Sequence, residues 1–447
     1  MKYRQKSKEG FDLFLIHQWG PDESKLEGKS EVEPDIRKKA YQNMKKAIKG
    51  KYPADLHTMR KWFGMGGKTK PNREMMFHLA ISLELSIQQT QEYLKKGLQL
   101  SPVQINDYRE FIWIYGLEHR LDWEACSRMI EFYEGQLLMS GKMIQESHTE
   151  KLWHLYENIH DKEPEDFLVE MGKNAPYFKG YSMTVFECYI HIKEEIESLL
   201  MQEAEEELED LLEGYSFYPW LKKQDISVEE GKNEETIQRY VQSQIRHVHS
   251  SHVLEDYERI KTLNRIVYGK GIYQSEILTE IFAAAMGYGA KSNSRYKDKP
   301  IPGAGIKFIT DKYLSDLLHI ATQREQEYQL IRQFRGEEDP EKKKKIELKL
   351  RHQRQRCHLV EREDFLPLLH YLAQKKYILK LEKEGKTYVQ KEAREFFCSI
   401  ANAALRTCQM ELLSSRYALD ALLLSSFHEN DMQSLSDIIE EASMRGE

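Results

Sequence analysis

Apolar residues recur three and four positions apart through most of this chain, and strict alternation of apolar and polar residues is scarce. That spacing gathers apolar side chains on one stripe of an α-helix and would scatter them over both faces of a strand. Ile36, Ala40, Met44, Ala47 and Ile48 form one such stripe, and Met76, Leu79, Ala80 and Leu83 form another. Helix boundaries are marked as well. Asp35 precedes the first stripe, Asn72 precedes a helix over 73–85, and Ser86 precedes one over 87–96 that stops at Gly97; short polar side chains cap helix starts and glycine favours helix ends. Further helices are expected over 54–63, 107–118 and 123–134. The predicted fold class is all-α.

The 447 residues are enough for several domains. Residues 1–35, polar and broken by Gly20-Pro21 and Pro34, are expected to be an irregular arm. Residues 36–135 read as a compact module of short helices. Residues 136–268 read as a long-helix bundle or solenoid-like body, with helices near 142–160, 182–213 and 233–266. Within 182–213 the stretch Glu203–Glu213 holds seven acids around Leu208, Leu211 and Leu212, as on the exposed side of a long helix. Residues 269–310 contain six glycines with Pro300 and Pro302 and form a separate loop-bearing segment. Residues 311–447 form a C-terminal helical domain, with helices over 311–333, 340–358 and 365–374. One β signal interrupts this pattern: Tyr377–Glu382 and Thr387–Gln390 flank Lys383-Glu384-Gly385-Lys386, predicting a small β-hairpin near 377–390. Its Leu, Lys and Glu residues also suit a continued helix.

Several function classes lack their signatures. No run approaches the roughly 18 apolar residues that a membrane-spanning helix needs, so no membrane partner is expected. The five cysteines form no CxxC pair, which fits free thiols in a reducing cytoplasm. His247, His249 and His252 cluster, but no cysteine or paired acid stands at a telling spacing, and no metal is expected. Gly287–Ser292 falls short of the phosphate-loop pattern because Ala290 precedes Lys291. No nucleophile elbow or zinc-protease motif is present, so neither an enzyme nor a cofactor is expected.

The charge is unevenly placed. Residues 36–73 carry Arg37, Lys38, Lys39, Lys45, Lys46, Lys49, Lys51, Arg60, Lys61, Lys68, Lys70 and Arg73 against the single acid Asp55. A net +11 here, in a chain of net charge −7, leaves −18 on the rest. With Tyr41, Tyr52, Trp62 and Phe63 interleaved, this is the footprint of a phosphate-binding surface on an acidic body. Pro340–Arg356 carries eight bases and two acids and reads first as a polar helix.

Residues 54–133 resemble the repressor/Cro-type helix-turn-helix regulators, in a branch found in Gram-positive bacteria. The likeness rests on Leu56–Gly64 with its Trp62, on Lys70-Pro71-Asn72-Arg73, on Leu79–Ser86, on Tyr93–Gly97 and on Leu100–Leu117. Residues 405–424 are weakly similar to an element at the end of long members. Leu100-Ser101 also stands before Asp107 as Leu413-Ser414 stands before Asp420. The resemblance implies a cytoplasmic, DNA-binding transcriptional regulator whose helical body senses or oligomerises, with duplex DNA and a homodimer or protein partner. By position it places Thr58, Arg60 and Lys61 toward DNA, with Lys68, Lys70 and Arg73 on its backbone. The connection Gly50–Pro53 is short for the first helix of such a motif. The other reading is therefore a non-enzymatic helical interaction protein, such as a stress or phage-defence component, in which the module is structural.

Overall fold

A computed structural model describes residues 10–20, 32–136, 149–246, 248, 250–269, 281, 311–435 and 437–438. Among them the chain is helical almost throughout, and its sole β pairing is an isolated bridge between Phe427 and Met432. The first helices are α1 (Phe11–Trp19), α2 (Pro34–Ala47), α3 (Leu56–Trp62), α4 (Arg73–Ser82), α5 (Ile87–Glu92), α6 (Tyr108–Glu118) and α7 (Trp123–Gln136). Asn72 caps α4 and Ser86 with Gln89 forms a capping box on α5, as the sequence predicts; Asp107 caps α6, while α2 starts at Pro34, so Asp35, expected as its cap, lies inside its first turn. α8 (Thr149–Ile159) and α9 (Pro164–Lys173) follow, and then the long α10 (Met183–Gly214).

The arm predicted over 1–35 is corrected within its described part. Phe11, Leu13, Leu15 and Ile16 of α1 are buried in the first core. Asp12, which interrupts that apolar run, is tolerated inside because Arg37 and Lys68 both reach its carboxylate, at 2.8 and 3.1 Å. The expected 136–268 bundle is also divided differently. The first core runs from Phe11 to Phe178 and so takes in α8 and α9. The first half of α10 (Val185, Tyr189, Ile192, Ile196) packs with residues 313–435 in a second core. Its second half (Ala204, Leu208, Leu212) packs with residues 217–263 in a third. That third core is built by α11 (Phe217–Lys223), α12 (Val228–Gly231), α13 (Glu234–Ile245) and α14 (Ser251–Asn264). The single helix expected over 233–266 is therefore two, parted at 246–250. The segment 269–310 lies outside the described residues apart from Gly269 and the buried Ile281.

The C-terminal part holds α15 (Asp311–Leu318), α16 (Ile320–Gly336), α17 (Pro340–Arg354), α18 (Arg362–Glu384), α19 (Gln390–Thr407) and α20 (Ala418–Ser425). The β-hairpin expected near 377–390 is not there. α18 continues through Tyr377–Glu384, ends on Gly385 at φ +61°, and turns back into α19. Leu, Lys and Glu propagate a helix readily, and only glycine takes the left-handed conformation without cost. Tyr377 is buried against Tyr388 and Phe396, so the aromatic residues that suggested strands pack two antiparallel helices together.

The two ends of the chain repeat one construction. Arg73, the first residue of α4, sends its guanidinium to the carbonyls of Ser101 and Pro102 (2.9 and 2.5 Å) and to both oxygens of Glu110 (2.5 and 3.0 Å). Arg362, the first residue of α18, reaches the carbonyls of Glu411 and Leu412 (2.7 and 3.2 Å) and both oxygens of Asp420 (2.7 and 2.5 Å). The acceptor loops match in detail. Gln99 and Gln409 each precede the loop at positive φ, 58° and 56°. Gln104 and Ser414 each donate a backbone N–H to the clamped carboxylate. The internal echo is thus present, but its register shifts by three: Glu110, and not Asp107, corresponds to Asp420. Asp107 instead caps its own helix.

The two clamps are joined. Glu361, next to Arg362, accepts the Ser101 backbone N–H at 2.5 Å. A second junction lies between α6–α7 and α16–α17, where Arg109, Arg324 and Arg354 converge on the buried Glu327. Burial favours its neutral form, but the three guanidinium groups win and hold its carboxyl far below the usual range.

Arg362 and Asp420 are both essentially inaccessible (1% and 0%), so removing one charge strands the other. Arg362→Met is expected to cost ~3–5 kcal/mol in urea unfolding, and adding Asp420→Leu should recover part of that loss. In the same core His370 lies buried with Nε2 2.7 Å from Ser426 Oγ, and burial pushes its pKa down from 6.5 to about 3. The unfolded chain then binds the proton first. Stability from this group is complete above pH 6.5 and is lost as pH falls from there toward 3, at up to about 1.4 kcal/mol per unit. His370→Gln should flatten that slope relative to the parent chain in denaturation series across this window.

Candidate nucleic-acid interface

α2 is amphipathic in a way that leaves one side rich in lysine. Ala40, Tyr41 and Met44 are buried, and Arg37 on the same side bonds Asp12 and the Phe63 carbonyl at 2.8 and 2.7 Å. At 3.6 residues per turn the opposite side carries Lys38, Lys39, Gln42, Lys45 and Lys46. None of these lysines has an acidic partner among the described residues, and all but the half-buried Lys45 are exposed.

The patch continues onto α3 through aromatic rings. Lys45 Nζ sits 6.0 Å from the centre of the Tyr52 ring. Tyr41 stacks edge-on against Phe63 with centroids 5.7 Å apart. Burial pushes the Tyr41 phenol up while the Arg60 charge pulls it down. Trp62 and Met59 bury the inner side of α3 in the first core, turning Arg60 outward. The exit of α3 is shaped by the same arginine that secures α2: Gly64 has φ +72°, and a Cβ there would strike Arg37 Nη1.

The predicted site residues separate into four kinds. Arg60 and Lys61 belong to the open patch; Lys61 is half-buried because its stem crosses Gly67. Thr58 is half-buried, with its N–H and hydroxyl both donated to the α3 cap Asp55 at 2.9 and 2.7 Å. Those bonds hold the Asp55 carboxyl below its usual range. Lys68 and Lys70 remain exposed but pair with Asp12 and Glu363 at 3.1 and 3.6 Å. The Lys70 pair is open enough for a phosphate to take the lysine over, whereas Lys68 serves the buried Asp12.

Arg73 does not belong to the interface. Every N–H of its guanidinium is engaged by Glu110, Ser101 or Pro102, and the side chain is 16% exposed. A bidentate carboxylate inside the fold satisfies the guanidinium fork more fully than a phosphate at the surface. Lys49 is likewise occupied, by Glu84, whose carboxyl it lowers.

The residues missed as site candidates are Lys38, Lys39, Lys45 and Lys46. They lie inside the basic window, and projecting that window on a helix separates them from Arg37. The connection 48–55 between α2 and α3 carries Gly50 and Pro53 and is anchored to α4 by Lys49 N–H to the Ser82 carbonyl, 2.7 Å. α3 packs on α1 as well as into the module core, so the arrangement departs from a compact helix-turn-helix pair.

Other candidates carry less. His252 is exposed and 3.6 Å from Asp256, whereas His247, His249 and the loop Gly287–Ser292 lie outside the described residues. Among the described residues no group of three His, Cys, Asp or Glu side chains is placed to hold a metal ion. No described helix is long and apolar enough to cross a membrane. The chain matches no known family model, no curated protein and no solved structure.

Proposed function

We propose that this protein is a DNA-binding regulator that grips the duplex backbone with the open basic side of α2 and with Arg60 and Lys61 of α3. One observation carries the reading: six bases without acidic partners among the described residues stand close in sequence, four along one side of α2 and two near the end of α3. The resemblance of 54–133 to the repressor/Cro-type regulators, and the cytoplasmic transcriptional role it implies, supports the same reading. Lysine on a flexible stem acts as a point charge suited to phosphate, and the acidic remainder of the chain disfavours contact elsewhere.

The fastening of the module to the C-terminal part favours a second reading, a helical interaction protein. Glu361 holds Ser101, Glu363 holds Lys70, and Arg73 faces inward. In that case the lysines are simply a solvated helix face.

Fluorescence anisotropy on a labelled duplex, titrated from low to moderate salt, separates the two. If all six bases reach phosphates, log K against log salt should slope at roughly −5, at about −0.9 per phosphate. Lys38→Ala and Lys45→Ala should each flatten the slope by about one unit and weaken binding to all sequences alike. Arg60→Ala should cost about 1–3 kcal/mol at preferred sequences if it reads a base edge. Salt-insensitive binding, or none at low salt by a chain whose helical circular dichroism is intact, leaves the interaction protein as the better description.

A further inference from the structure

Outside residues 36–73 the chain is acidic on balance, but α17 stands against that trend. Pro340–Arg356 holds eight bases and two acids, and four of the bases, Lys342–Lys345, are consecutive. α17 is seated by its inner side: Leu350 and Gln353 are buried, and Gln353 donates to the Gln323 carbonyl at 2.8 Å. Two arginines serve the interior, Arg354 reaching Glu327 at 3.1 Å and Arg356, just past the helix end, reaching Asp316 at 2.8 Å. Lys343 rests 5.0 Å from the centre of the Phe334 ring, and Lys342 keeps a distant acid, Asp339, at 3.9 Å. Four bases are left over. Lys344, Lys345, Lys349 and Arg351 are exposed and have no acidic partner among the described residues, although Glu341 and Glu347 stand one turn before Lys345 and Arg351.

These bases are placed against the preference of the helix itself. The N-terminal end of a helix carries partial positive charge, which favours acids there and disfavours cations. Asp339, the cap, and Glu341 obey that rule; the run Lys342–Lys345, at the third to sixth positions, breaks it. Lys345 and Lys349, one turn apart, also repel each other. A departure from local preference that no contact in the fold offsets points to a role outside the fold.

The shape of the face selects the partner. Lys344, Lys345 and Arg351 each lie three or four residues from Leu348 and so surround it on the outer side, along about 10 Å of helix. Leu348, 54% exposed, is the single exposed large apolar side chain of α17. Binding flat on an anionic bilayer needs a broad apolar face, and so does the centre of a protein interface. A phosphate backbone needs only positive charge along its path.

We propose that the outer face of α17 is a second phosphate-binding surface for duplex DNA, separate from the one on α2 and α3. The choice of partner rests on the reading given above, but the residues differ, so each surface can be removed without the other.

The test repeats the duplex anisotropy titration on full-length chains. One variant carries Lys344→Ala, Lys345→Ala and Lys349→Ala; another carries Lys38→Ala, Lys39→Ala, Lys45→Ala and Lys46→Ala. The α17 variant should flatten log K against log salt by roughly two to three units, for three phosphates at about 0.9 each, and should do so again when added to the α2 variant. Lys349→Ala alone should flatten it by about one. The α17 variant should melt no lower than the parent, since alanine favours a helix and two of the lysines removed lie near its positive end. The inference is overturned if the slope is the same with and without these lysines; the α2 surface then stands if its own variant flattens the slope. A slope that responds only to the α17 variant upholds this surface and removes the one on α2. It is also overturned if the parent binds no duplex at low salt, or if the three lysines are needed for binding phosphatidylserine vesicles and not for binding duplex.

Discussion

An arginine at the first position of a helix, closing on a carboxylate and two loop carbonyls, is the arrangement on which both ends of this fold depend. Arg73 and Arg362 each tie the start of one helix to the loop before another, so helix packing and loop conformation are set together. Arginine suits the task because its planar fork of five N–H donors serves a bidentate carboxylate and backbone carbonyls at once. Burying such a pair costs desolvation on both partners, and it persists only where every donor finds an acceptor. Here every donor of Arg73 does. Glu361 then couples the clamps by reaching from the second helix start to the first loop. The N-terminal module is consequently part of the body, and not a bead on a linker.

That coupling shapes what the basic segment is available to do. Of its twelve bases, Arg37 and Arg73 are spent on internal bonds, and Lys49, Lys68 and Lys70 face acids. What remains for an outside partner is a strip of lysines on α2, the exposed Lys51 in the connection after it, and the pair Arg60–Lys61. The partition largely follows residue chemistry: two of the three guanidinium groups, Arg37 and Arg73, go inward, where geometry is fixed, and most of the lysines stay where water solvates the ammonium. The same economy appears in Glu327, whose buried charge is held by three arginines from three helices.

Much of this was legible in the residues and some was not. The caps Asn72, Ser86 and Asp107 stand where short polar side chains promise them, because a cap is a local bargain between a side chain and its own backbone. The stretch 377–390 misled for the opposite reason. Aromatic and β-branched residues suit a strand, but here Tyr377 of α18 meets Tyr388 in the turn that leads into α19. The arm misled because Asp12 breaks an apolar run in sequence, while Arg37 and Lys68 neutralise it in space. The echo between the chain ends was visible, but its register was not. Two aspartates align by letter, whereas the acid that arginine chooses in the first unit is a glutamate three residues further on.

By itself the sequence determined that the chain is helical, where most helices begin, and that its positive charge gathers near one end. These follow from periodicity, capping and composition, which act over a few residues. Only the tertiary structure decided which bases are free, which carboxylate each arginine takes, and that α10 belongs to two cores. Those are pairings between residues tens to hundreds of positions apart. They are selected by the geometry of burial and by the desolvation cost of leaving a charge without its partner, and no local pattern encodes them.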